Sequence, residues 1–173
     1  MQVDESELIA QVITGDADAY GQLVDRYKNA VYYHCYAIVR DEDVAEDVAQ
    51  ETFIAAYYKI NSFDRSKKLS TWLFKIATNK ALNIIRSRKH FTTEGDDILK
   101  GVVSAQRTPE ELARDNDIHQ AVDNLIPKQR AVVSLYYWQG LSYEEVAEVL
   151  SVPVGSVKGW MSRAKAALRK ELV

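Results

Sequence analysis

The chain is poor in cysteine, glycine and proline: of its 173 residues one is Cys, 7 are Gly and 3 are Pro. The single thiol, Cys35, excludes an intramolecular disulfide framework and any zinc site needing two or more thiolates. No apolar run approaches the roughly 20 residues of a membrane-spanning helix, and the opening Met1-Gln-Val-Asp-Glu-Ser-Glu lacks the basic-then-apolar order of a secretory signal. A soluble, cytoplasmic protein without membrane insertion is the expectation. Adjacent His34 and Cys35 would splay about 100° apart on a helix, and no Gly-rich phosphate loop or paired metal motif occurs. Neither an enzyme nor a metal or cofactor site is therefore expected.

Apolar residues make up 47% and charged residues 27%, a mix that supports a packed core in one domain or two small ones. The net charge of −3 conceals an uneven distribution. Residues 1–58 hold 3 basic and 12 acidic side chains, whereas 59–91 hold 9 basic and 1 acidic. Residues 92–117 carry 3 basic and 7 acidic, 118–152 carry 2 and 4, and 153–173 carry 5 and 1. Two basic blocks in an acidic frame suit two separate polyanion contacts and one surface for another kind of partner, although solvated helix faces also produce such runs.

Apolar residues recur mostly at three- and four-residue spacing, which predicts an all-α chain. Leu8, Ile9 and Val12 open an amphipathic stretch that Gly15-Asp16 interrupts, and Leu23, Tyr27 and Val31 lie on a longer helix ending near Arg40. Asp41-Glu-Asp favours a helix N-terminus, with Val44, Val48 and Ala55 as the inward stripe to about Ile60. After a loop, Leu69, Leu73, Ile76 and Ile84 mark a fourth helix to about Lys89. Residues 1–91 thus read as one helical domain, 92–107 as a linker and 108–173 as a second domain. Thr108-Pro-Glu-Glu111 carries the hydroxyl, proline and glutamate of a capped helix start. Pro127 starts another helix, whose Val132, Val133, Leu135 and Tyr136 face inward before Gly140.

Ser142-Tyr-Glu-Glu145 is a second capping box and opens a helix-turn-helix: Val146, Ala147 and Leu150, a break at Ser151-Val-Pro-Val-Gly155, then Val157, Met161, Ala164 and Leu168. Lys158, Ser162, Lys165 and Arg169 recur at four, three and four on the second helix, with Arg163 alongside. Such a face suits the major groove, where Arg and Lys read guanine edges or hold phosphates. The other basic block is interleaved with aromatics, Phe63, Trp72, Phe74 and Phe91, a combination that binds single strands by stacking and backbone attraction. Lys75, Asn79 and Arg86 form a polar stripe on the fourth helix. Trp72 is expected in the core, and Phe63, in a polar loop, as the stacking surface.

An acidic helix, a single-strand block and a C-terminal duplex reader, in that order, resemble an extracytoplasmic-function (group IV) bacterial sigma factor. The residues that carry the resemblance are Asp43-Val-Ala-Glu-Asp-Val-Ala-Gln-Glu-Thr-Phe53, Ser62-Phe63, Thr71-Trp-Leu-Phe-Lys-Ile-Ala-Thr-Asn79, Leu125-Ile-Pro-Lys-Gln-Arg130, Leu141-Ser-Tyr-Glu-Glu-Val-Ala and Pro153-Val-Gly-Ser-Val-Lys158. The resemblance implies a region 2 that meets core RNA polymerase through Asp47, Gln50 and Glu51 and the unwound −10 element through Phe63 and Asn79, with Lys75 and Arg86 on the same stripe. It implies a region 4 that faces the −35 promoter element through Lys158, Ser162 and Arg163, flanked by Lys165. Partners would be RNA polymerase core, promoter DNA and an anti-sigma factor. Where the family often has Arg, this chain has Trp160, and Gly159 offers no side chain. A stand-alone helix-turn-helix regulator is the alternative, sharing residues 142–170 without needing the acidic helix or the aromatic block. The linker is expected to fold back over the Lys158/Arg163 face in the free chain.

Overall fold

A computed structural model describes residues 3–91 and 120–172. Among these residues all regular structure is helical. The linker, the capped start at Thr108 and the fold-back over Lys158 and Arg163 fall wholly or partly outside the described residues.

The N-terminal region is built from α1 (Glu5–Ile13), α2 (Ala17–Val39), α3 (Glu42–Lys59) and α4 (Leu69–Phe91). Short polar side chains set the helix starts. The Asp16 carboxylate accepts the Asp18 and Ala19 amides at 2.9 and 3.1 Å, and Asp41 accepts the Val44 amide at 3.0 Å. Between α2 and α3 the chain reverses in two residues, with Arg40 in the left-handed region at φ 56. α2, α3 and α4 pack on one another, and α1 closes one end through Leu8, Ile9 and Val12.

Two expected stripes are displaced. On α3 the buried face is Ala45, Val48, Ala49, Thr52, Phe53 and Ala56, while Val44 and Ala55 are only half-buried. On α4, Ile76 and Ile84 are half-buried, and Thr71, Phe74, Ala77, Thr78 and Ala81 join Leu69 and Leu73 inside. A long helix packed on more than one neighbour buries more than one stripe, and small residues fill the closest approaches.

The C-terminal region contains α5 (Pro127–Val133), a widened π turn over Ser134–Trp138, α6 (Tyr143–Leu150) and α7 (Val154–Leu172). The Ser142 box closes both ways: its hydroxyl accepts the Glu145 amide at 3.1 Å and Glu145 accepts the Ser142 amide at 2.8 Å. Ser151 takes the left-handed turn position at φ 53, where glycine is the easier residue. Val157, Met161 and Ala164 bury the inner face of α7, and Leu168 is half-buried.

The two regions pack against each other, α2 on α5 and α4 on α6. His34 of α2 sits at the centre of this seam, fully buried, with Nδ1 2.9 Å from Ser134 Oγ and Nε2 2.7 Å from Thr78 Oγ1. A neutral imidazole has one donor and one acceptor nitrogen, and a hydroxyl can answer either. Desolvation holds the ring neutral, with its pKa lowered to about 3. Arg130 spans the same seam, donating to the Ile38 carbonyl at 3.2 and 2.7 Å and to the Leu125 carbonyl at 2.5 Å. Burial lowers its pKa to about 10, still well above neutrality, so the charge stays. At the rim Arg40 pairs with Asp123, Lys67 with Glu148 at 2.6 Å and Lys68 with Glu145 at 2.6 Å.

Candidate polymerase and nucleic-acid interfaces

Three surfaces stand on three helices. On α3, Asp47, Gln50 and Glu51 are all exposed and share one face by their spacing of three and four. Glu51 lies 3.7 Å from Lys80 of α4, a surface pair that contributes little to stability. The same face continues into Ile54 and Tyr58, both exposed, beside an open depression of about 250 Å³ lined by Tyr20, Phe53, Ile54, Tyr57 and Tyr58. Sequence reasoning missed this apolar extension, although the seven-residue step from Asp47 to Ile54 and from Glu51 to Tyr58 is a readable signal.

On α4, the half-buried Lys75 and the exposed Asn79 and Arg86 share one side of the helix. Lys75 makes no ion pair with the described residues. The aromatic pair beside them reverses the expected order. Phe63 is only 7% exposed and Trp72 is half-buried, their rings tilted with centroids 5.1 Å apart. The polar setting of Phe63 is misleading, because the 3-10 turn Ile60–Ser62 folds its ring back toward Trp72. Trp72, three residues before Lys75 and seven before Asn79, lies along the polar stripe, a spacing visible in the sequence but outweighed there by the general tendency of tryptophan to be buried.

The remaining cations of this block are largely engaged. Lys67 and Lys68 of the 61–68 loop are tied to α6, and Arg65 donates to the Ser6 carbonyl at 3.3 Å. Glu148 raises the Lys67 pKa, and Lys68 lowers that of Glu145.

On α7, Lys158, Ser162, Arg163 and Arg169 are exposed and Lys165 is half-buried. None of these cations pairs with a carboxylate among the described residues. A 19-residue helix with one apolar stripe and one exposed basic face, held at its start by a tight turn, has the form of a recognition helix.

The seam brings the second and third surfaces into one body. The loop leading into α4 is joined by ion pairs to α6, the helix preceding α7. Among the described residues no cluster of His, Cys, Asp and Glu could hold a metal, and no helix is long and apolar enough to cross a membrane.

Comparison with known proteins agrees with this division. A family described as "Sigma-70 region 2" matches residues 23–91, and one described as "Sigma-70, region 4" matches residues 115–168. The ECF RNA polymerase sigma factor SigW of Bacillus subtilis is 40% identical, over 99% of this chain and 98% of its own length. The sigma factor RpoE of Bartonella quintana, solved in complex with the anti-sigma factor NepR, superposes with a TM-score of 0.76 at 26% identity, covering 88% of this chain and 96% of that one. An engineered region 2 of sigmaE, solved in complex with GTAAAA, matches at 35% identity and a TM-score of 0.50, over 54% of this chain and 97% of that one. A stand-alone helix-turn-helix regulator would leave the region 2 match without a role. Two family matches in the expected order, with a relative aligned end to end, place the chain: it belongs to the extracytoplasmic-function family of RNA polymerase sigma factors.

Proposed function

We propose that this sigma factor docks on core RNA polymerase through Asp47, Gln50 and Glu51, captures the unwound −10 strand along Trp72, Lys75, Asn79 and Arg86, and reads −35 duplex with Lys158, Ser162, Arg163 and Lys165. Phe63 joins the second surface once its loop is released. The observation that carries this reading is the exposure of α3's acidic face and α7's basic face on one molecule. The chain performs no covalent step in this scheme; polymerase makes every bond. Its contribution is binding energy, each captured base offsetting a few kcal/mol of unstacking and unpairing. The sigmaE region 2 complex with GTAAAA supports the single-strand assignment.

The packed arrangement cannot serve both promoter elements at once. Their names place them roughly 25 base pairs apart, on the order of 85 Å at about 3.4 Å per base pair. In the packed chain, Lys67 and Lys68 beside α4 touch the helix-turn-helix itself. The seam must therefore part on the promoter, and the packed form is the polymerase-free state. One superposition spans both regions of the Bartonella RpoE bound to NepR, which supports an anti-sigma factor as the partner that holds this form.

Run-off transcription with core polymerase on a random-promoter library tests the function and reports its specificity. Transcripts that depend on the chain and share two spaced elements are expected; core-independent duplex binding with no transcript would return the stand-alone regulator. The docking assignment is checked by the double variant Asp47→Lys with Glu51→Lys. Both residues are exposed, so melting should be unchanged while core affinity falls at least tenfold. Wild-type affinity in a folded double variant removes the α3 patch from the interface.

A further inference from the structure

α5 begins at Pro127, and Lys128 is its second residue. A cation in the first turn opposes the helix dipole, so it is poorly placed for stabilising α5. The Lys128 side chain is exposed and has no carboxylate partner among the described residues. Its ammonium instead lies over the ring of Trp160, 5.3 Å from the centroid. Trp160 is half-buried in the second turn of α7, on the side of the recognition helix that also carries Arg163 three residues later. The indole face thus bridges α5 to α7 and fixes a free-ended cation on the flank of the recognition helix.

A helix seated in the major groove has a phosphate wall along each flank. Cations on a second element beside that helix hold the register without reading bases. We propose that Lys128, seated on Trp160, is a phosphate contact of the promoter-duplex interface, so that this interface extends beyond the helix-turn-helix to α5. The proposal rests on α7 being the duplex-reading helix. Here Trp160 acts as a positioning residue: its ring replaces a direct cation on α7 by one presented from α5, and Lys128 makes the contact.

The test is the affinity of the full-length chain with core polymerase for a −35-containing promoter, over a salt series, in wild type, Lys128→Ala, Trp160→Leu, Lys128→Ala with Trp160→Leu, and Lys158→Ala. One phosphate contact contributes about 0.9 to the slope of log affinity against log salt. Lys128→Ala should lower the slope by about that amount, leave the rank order of −35 sequences unchanged and leave melting unchanged. Trp160→Leu should weaken binding in the wild-type background and have little further effect once Lys128 is Ala; thermal melting separates this coupling from loss of fold, and additive losses would overturn the positioning role. Lys158→Ala monitors the underlying reading. If it weakens binding while Lys128→Ala leaves slope and affinity at wild-type values, the extension to α5 is wrong. If neither Lys158→Ala nor Lys128→Ala changes binding, α7 is not the duplex-reading helix.

Discussion

Lowering the pH from about 7.5 to about 5 is expected to part the two helical regions of the free protein. His34 is fully buried between Thr78 and Ser134, and desolvation lowers its pKa to about 3. Once the seam opens the ring meets water and its pKa returns toward the ordinary 6.5. Above 6.5 both states hold a neutral ring and the seam bears no proton cost. As pH falls below 6.5 the open state takes up a proton that the packed state refuses until about 3, so the packed form loses about 1.4 kcal/mol per pH unit across that window. At pH 5 the loss reaches about 2 kcal/mol, roughly a thirtyfold shift toward the open form. Fluorescence transfer between dyes on α3 and α7 reads it directly. His34→Gln keeps a donor and an acceptor for the two hydroxyls but cannot titrate in this range, and should flatten the dependence. An equal pH response in wild type and His34→Gln would remove His34 as its cause.

The seam is also the part of the molecule least legible in the sequence. Periodicity locates an apolar stripe on one helix at a time, and caps mark where helices start; the Asp41 and Ser142 starts were readable for that reason. His34, Thr78 and Ser134 are polar, far apart in sequence and satisfied only by one another, so no local pattern distinguishes them from surface residues. Arg130 was legible as part of the Leu125–Arg130 motif, but its bonds to the Ile38 carbonyl were not. The charge pattern misled in a related way. Lys67 and Lys68 counted toward a nucleic-acid block, yet in the packed chain they answer Glu148 and Glu145. A cation's partner depends on what the fold brings to it, and composition does not record that. The exposed basic face of α7 was legible because it depends on one helix alone.

The pairing of Lys67 and Lys68 with α6 joins the seam to the aromatic pair, and Phe63→Ala is expected to show it. Phe63 begins the loop that these lysines hold, and its ring is packed beside Trp72. Truncating a largely buried phenylalanine costs about 3–5 kcal/mol, which for a chain of this size lowers the melting temperature by on the order of 10 °C. Asn79→Ala touches an exposed side chain and should leave melting unchanged. Both should slow promoter opening, since a bond or stack to an unpaired base exists only after melting. Loss of one stacked base, about 1–3 kcal/mol, corresponds to roughly 5- to 150-fold slower opening. A pre-melted −10 bubble should restore the rate of Asn79→Ala without restoring its base preference. It should restore Phe63→Ala only at temperatures where region 2 remains folded, because there the same ring serves the core of the free protein and the captured strand of the open complex. Measuring melting and opening on each variant separates the two roles. A Phe63→Ala variant that melts at the wild-type temperature would show that the ring contributes nothing to the packed form, and one that opens promoters at the wild-type rate while folded would remove Phe63 from the single-strand surface and leave Trp72 as its aromatic.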